Sequence, residues 1–180
     1  MTVALLVAPE GVEQVELTEP RRAVLEAGGA ASLLSTREGR IQAFHHLDRG
    51  DTFAVDAVVA DAAPDDYDAL ILPGGVANPD ALRLDPAAVG FVRSFFRGGK
   101  PVAAICHAPW TLIEAEVVRG RSLTSWPSLR TDLVNAGARW ADEQVVICRD
   151  GPSVLVTSRK PDDLPAFNES LVTVFAAHAR

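Results

Sequence analysis

Lys100-Pro-Val-Ala-Ala-Ile-Cys-His-Ala-Pro-Trp110 is the stretch whose reading decides the fold. Residues 102 to 105 form an unbroken apolar run, the pattern of a strand covered on both faces in a parallel sheet. The run stops at Cys106-His107, and residues 108 to 118 read as a helix with Pro109 tolerated in its first turn. A strand that turns sharply into a helix lifts its junction residue to the carboxyl edge of the sheet, as in the nucleophile elbow of hydrolases. Helix N–H groups there favour a thiolate, which predicts a lowered Cys106 pKa. A free cysteine is ordinarily a small buried apolar residue. The adjacent histidine and the abrupt junction set Cys106 apart as a candidate nucleophile.

Outward from this stretch, the same alternation repeats. Residues 2 to 7 (TVALLV) read as a first buried strand, broken by Pro9-Glu10-Gly11. Glu13-Gln-Val-Glu16 opens a helix that runs to Ala27, with a possible kink at Pro20, and Gly28-Gly29 ends it. Residues 31 to 35 and 69 to 72 are further strands, the second closed by a Pro73-Gly74-Gly75 turn. Residues 85 to 97 carry a helical apolar pattern stopped by Gly98-Gly99. Beyond the elbow come a strand at 122–125, a short helix at 128–136, two strands at 145–148 and 154–157 joined by Asp150-Gly-Pro152, and a closing helix at 164–178. From 37 to 63 the periodicity is poor, and Gln42-Ala-Phe-His-His-Leu47 reads as a hairpin or an edge excursion. Strands alternating with helices predict one α/β domain over residues 1–180, a mostly parallel sheet with helices on both faces.

Composition bounds the function. With 180 residues, 48% of them hydrophobic, the chain can bury a full core. A net charge of −7 argues against nucleic acid or an anionic membrane as partner. No apolar run approaches the ~18 residues of a membrane helix. Strand-like sequence from Thr2 leaves no room for a signal peptide, and two cysteines, Cys106 and Cys148, suit a reducing cytoplasm. No Cys/His spacing marks a zinc site, so neither a metal nor another cofactor is expected.

Ligands of parallel α/β sheets bind beyond the carboxyl ends of the strands at a topological switch point. Glu13 and Glu16, the Gly74-Gly75 turn and Cys106-His107 should therefore converge. Acids in a first helical turn are common simply because they complement the dipole. Paired glycines can be only a tight turn, although they also let backbone N–H groups approach an oxyanion. His45 and His46 read as surface-loop residues, Cys148 as core, and Trp126 as a packing residue or a pocket wall.

Ala104-Ile-Cys-His-Ala-Pro109, Pro73-Gly-Gly75, Glu13-Gln-Val-Glu16, Gly120-Arg-Ser-Leu-Thr124 and Thr157-Ser-Arg-Lys-Pro-Asp-Asp-Leu-Pro-Ala-Phe167 together resemble the PfpI family over nearly the whole chain. This branch of the glutamine-amidotransferase-like superfamily contains so-called intracellular proteases, protein deglycases and bacterial general stress proteins. The resemblance implies a flavodoxin-like three-layer sandwich with Cys106 as nucleophile. It implies that Glu16 bonds the cysteine sulfur, that Glu13 is a second acid beside it, and that Gly75 and His107 supply oxyanion-hole N–H groups. Asp80 falls near a family glutamate that meets the histidine of a neighbouring subunit, which implies a homodimer or higher oligomer. Here Val76-Ala-Asn-Pro-Asp80 is one residue longer and carries Asp for Glu.

The chemistry also follows from the residues. A thiolate attacks an electrophilic carbonyl, backbone N–H groups hold the oxyanion, and His107 exchanges protons. Glu16 must then be protonated, which calls for a carboxyl pKa raised by burial. Two function classes share this cysteine. One is a cysteine hydrolase or glyoxalase-type enzyme acting on reactive carbonyls such as methylglyoxal, on their protein adducts, or on peptides. The other is a non-catalytic stress protein, a redox sensor or holdase whose cysteine is oxidised. The histidine after the cysteine favours the enzyme.

Overall fold

In the computed structural model, which describes residues 1–179, β1 (Thr2–Val7) is buried on both faces. Val3, Leu5 and Val7 enter one core while Ala4 and Leu6 enter another, the consequence of a two-residue side-chain period in a covered strand. The chain continues through β2 (Glu10–Glu13), α1 (Gln14–Glu26), β3 (Ala30–Ser35), β4 (Arg40–His45), β5 (Asp48–Ala54), β6 (Ala57–Val58) and β7 (Ala69–Leu72). Next come α2 (Ala77–Leu82), α3 (Pro86–Arg97), β8 (Val102–Ile105), α4 (Pro109–Glu114) and β9 (Ser122–Leu123). The last elements are α5 (Arg130–Asn135), β10 (Arg139–Trp140), β11 (Val145–Cys148), β12 (Leu155–Ser158) and α6 (Leu164–His178).

Seven strands form the central sheet in the order β11-β12-β8-β7-β1-β3-β6. All neighbours are parallel except β11, which runs antiparallel to β12 at the edge. Leu17 and Val24 of α1 pack with Phe167, Leu171 and Phe175 of α6 on one face. Leu82, Phe95, Leu112 and Leu133, from α2 to α5, cover the other. This is the flavodoxin-like sandwich. Successive strands step outward from β1 to β3 on one side and from β7 to β8 and β12 on the other, so the switch point lies among β1, β7 and β8. Among the described residues, no helix is long and apolar enough to cross a membrane.

Several boundaries differ from the sequence reading. Glu10–Glu13 is a strand rather than a break and a first helical turn, because it pairs with β4 in a second sheet, ordered β2-β4-β5. The helix therefore starts at Gln14. The obscure 37–63 region is a β4–β5 hairpin followed by the edge strand β6. The elbow helix ends at Glu114, not near 118. Glu116 adopts a φ of 60°, and the Glu116 and Val117 N–H groups donate to the Ile113 and Leu112 carbonyls, a Schellman closure that terminates the helix. α5 is shorter than expected because Pro127–Leu129 forms a 3-10 turn before it. Ser122–Leu123 lies outside the central sheet and pairs with β10.

Candidate active site at the Cys106 elbow

Cys106 follows the last residue of β8 with a φ of 63°, a left-handed conformation that costs a non-glycine residue on the order of 1–3 kcal/mol. Two backbone hydrogen bonds hold it there: its N–H donates to Ser158 O at 3.1 Å, and its carbonyl accepts from Trp126 N–H at 2.9 Å. The sheet thus pins the residue from β12 and from the loop after β9. With its backbone turned this way, the His107 side chain folds back so that Nδ1 lies 3.1 Å from Cys106 Sγ. Trp126 stacks on the imidazole at 5.5 Å between centroids, and Trp110 meets it edge-on at 5.3 Å.

Glu16 arrives from the first turn of α1, fully buried. Its Oε2 accepts the Gly74 N–H at 2.9 Å, while Oε1 is enclosed without an oxygen or nitrogen partner. The Cys106 sulfur is the side-chain group that Glu16 meets. Gly74 has to be glycine, since a Cβ there would sit 2.5 Å from Glu16 Oε2 and 2.6 Å from Cys106 Cβ. Gly75 has a φ of 80°, and a Cβ would collide with the Gly11 carbonyl. The N–H groups of Gly75 and His107 both aim at Cys106 Sγ.

Burial sets the protonation states. It raises Glu16 to about 8, against the pull of hydrogen bonds from Cys106 and the Gly74 N–H. It also lowers His107 to about 4, leaving a neutral imidazole at neutral pH. A protonated Glu16 agrees with the sequence reading. The lowered Cys106 pKa does not appear: burial pushes the thiol up, an ionised Glu16 pushes it further, and the Gly75 and His107 N–H groups offset only part of this. Both shifts favour a thiol beside a neutral imidazole.

These groups open into a cleft of about 730 Å³ at the carboxyl edge of the sheet. Glu13, Glu16, Gly75, Cys106, His107 and Trp126 all line it. Two expected site residues do not. Gly74 is buried behind Glu16 and Cys106, and Asp80 sits exposed on α2, outside the cleft of the single chain. Glu13 is the N-cap residue of α1, but its Oε2 accepts the His46 N–H at 2.9 Å and so ties the hairpin tip to the cleft. Phe44, His46 and Leu47 of the hairpin, and Lys160 to Asp162 after β12, complete the walls. Asn78 was not singled out from the sequence. Fully buried, its Oδ1 accepts Ala8 N–H at 2.7 Å, and its Nδ2 donates to Pro73 O at 2.9 Å and Gly74 O at 3.0 Å. It staples the glycine turn to the end of β1; an Asn five residues after the start of Pro-Gly-Gly was the only signal.

The elbow, the buried glutamate and the glycine turn coincide with a match of residues 1–174 to the DJ-1/PfpI family. The chain belongs to the DJ-1/PfpI family. Within that family it is 44% identical to general stress protein 18 of Bacillus subtilis over 88% of this chain and 90% of that protein. It is 40% identical to protein/nucleic acid deglycase 2 of Escherichia coli over 97% of this chain and 98% of that protein. The crystal structure of Drosophila melanogaster DJ-1beta superposes with a TM-score of 0.83 at 29% identity, covering 95% of this chain and 88% of that one. DJ-1/PfpI relatives thus carry both stress-protein and deglycase names.

Proposed function

We propose that this DJ-1/PfpI protein is a cysteine-dependent enzyme acting on reactive carbonyls such as methylglyoxal, on their adducts with protein side chains, or on peptides. The observation that carries the reading is the neutral His107 imidazole with Nδ1 3.1 Å from the Cys106 thiol. As Sγ bonds to the carbonyl carbon, the thiol proton passes to Nδ1 and the carbonyl π pair moves onto oxygen. Gly75 and His107 N–H groups stabilise that oxygen, and the imidazolium returns its proton, giving a hemithioacetal with an aldehyde. With an amide, the oxyanion pair re-forms the carbonyl as the C–N bond breaks, the imidazolium protonates the departing nitrogen, and water then hydrolyses the thioester left on Sγ to free the thiol. Protonated Glu16 keeps a second negative charge away from the sulfur and offers it an O–H donor.

A panel of dicarbonyls, glycated peptides and unmodified peptides, tested with wild type and Cys106→Ser, decides the matter. Turnover by wild type alone supports the enzyme. Equal activity of Cys106→Ser on every substrate consumed refutes it. Complete inactivity of wild type, with Cys106 selectively oxidised by peroxide, favours the stress-sensor or holdase reading, which the name of the B. subtilis relative also suggests.

The same reading places the protein in the cytoplasm as a homodimer or higher oligomer, with Asp80 facing the His107 side of a neighbouring subunit. Asp80 is exposed, and Val76 and Leu84 on either side of α2 are 57% and 81% exposed, an apolar surface suited to contact. Light scattering at micromolar concentration should give at least a dimer; a monomer there counts against shared sites.

A further inference from the structure

We propose that the amino edge of the sheet, opposite Cys106, carries an anion site for a phosphate group, built on Arg121 with Arg97 and Arg93. A pocket of about 430 Å³ opens there, where α3 and α4 end, lined by these arginines with Phe96, Glu116 and Pro152 among its walls. Three bases in one pocket are not a product of composition, since acids outnumber Lys and Arg by 24 to 17 in the chain.

Arg121 is the decisive residue. It is only 8% exposed, its guanidinium stacks 5.1 Å over Phe96, and Nη1 donates to Ser153 O at 2.8 Å. Nη2 lies against Gly151, where a Cβ would come within 2.8 Å. Yet among the described residues no carboxylate pairs with it, whereas buried charges are normally paired. A guanidinium held flat by an aromatic ring and a backbone carbonyl is pre-oriented for a forked oxyanion contact.

The surrounding groups permit an anion. Carbonyls at the end of α4 would repel one, but Arg93 covers them, donating Nε to Ala115 O at 3.0 Å and Nη2 to Glu114 O at 3.4 Å. Among the described residues, the only acid lining the pocket, Glu116, is 84% exposed in its side chain and stands 3.6 Å from Arg93. Arg97, in the last turn of α3, makes no ion pair among the described residues and supplies the second charge. A helix-terminal cation accounts for Arg97 by itself; it does not account for the unpaired charge of Arg121.

The test is calorimetric titration with inorganic phosphate against chloride at matched ionic strength, with thermal melting as a second readout. Phosphate should bind wild type and raise its melting temperature beyond the chloride control. Arg97→Ala, which removes no internal hydrogen bond, should weaken phosphate binding roughly tenfold or more, the scale of one charge-assisted hydrogen bond. Arg121→Met, checked as folded by its melting curve, should abolish binding. Absence of phosphate binding beyond the chloride control overturns the proposal, as does wild-type affinity in either variant.

Discussion

His107 Nδ1 lies 3.1 Å from the sulfur of Cys106, the residue directly before it in the chain. Neighbouring side chains on a strand point to opposite faces and those on a helix diverge by about 100°. The contact exists because Cys106 is neither: its φ of 63° breaks the strand before the helix begins. The Cys106–His107 contact is thus a product of local backbone strain, sustained by Ser158 and the Trp126 N–H.

Thiol reactivity should track the shared protons of Glu16 and Cys106. With the Cys106 thiol pushed above its ordinary range, and further by Glu16 once that ionises near 8, alkylation of wild type by iodoacetamide should still be rising above pH 8 instead of saturating below neutrality. Glu16→Gln keeps a hydrogen-bond donor and removes the charge, and Glu16→Leu removes both. The apparent thiol pKa, read from ultraviolet thiolate absorbance, should be higher in Leu than in Gln. The reverse order would remove Glu16 as a donor to sulfur.

Stability should vary with pH in two opposing windows. Glu16 is raised from 4.5 to about 8, so the unfolded chain releases its proton first and stability falls between those values. The full cost of this group is on the order of 5 kcal/mol. His107 is lowered from 6.5 to about 4, so stability falls as pH drops through that interval, by on the order of 3 kcal/mol. The two slopes oppose each other between about pH 4.5 and 6.5, so in denaturant unfolding across pH Glu16→Gln should flatten the fall from about pH 6.5 to 8, and His107→Phe should uncover the Glu16 fall from about pH 4.5 to 6.5. Unchanged slopes in both would disprove the assigned protonation states.

Gly74→Ala should cost more than an ordinary surface change. Its Cβ would press on Glu16 Oε2 and Cys106 Cβ, so we expect a loss of about 1–3 kcal/mol together with slower labelling of Cys106. Thermal melting and thiol labelling check the two parts separately. A variant as stable and reactive as wild type would show that the turn yields without effect.

Asn78→Leu should destabilise by roughly 2–4 kcal/mol, since it leaves Ala8 N–H, Pro73 O and Gly74 O without their buried partner. Asn78→Asp retains the acceptor for Ala8 N–H but loses both donors to the turn. If the turn positions the oxyanion N–H of Gly75, kcat should fall in Asn78→Asp with KM little changed. A KM effect alone would assign Asn78 to binding.

Much of the site was legible because its chemistry is written in short, local patterns. The apolar run before Cys106, the Pro-Gly-Gly turn and the acids at the start of α1 each follow from a few neighbouring residues whose periodicity or φ preference is intrinsic. Parallel packing then brings the ends of β1, β7 and β8 together, since both faces of these strands are apolar and need helices over them. What depended on tertiary structure was everything set by distant partners. Glu10–Glu13 became a strand because β4 lies beside it, and Asn78 matters only because Ala8 and Pro73 come to meet it. The Cys106 thiol is pushed up instead of down because burial among α1, the glycine turn and the elbow outweighs two N–H groups. Sequence determines which groups can ionise; the depth to which the fold buries them decides whether they do.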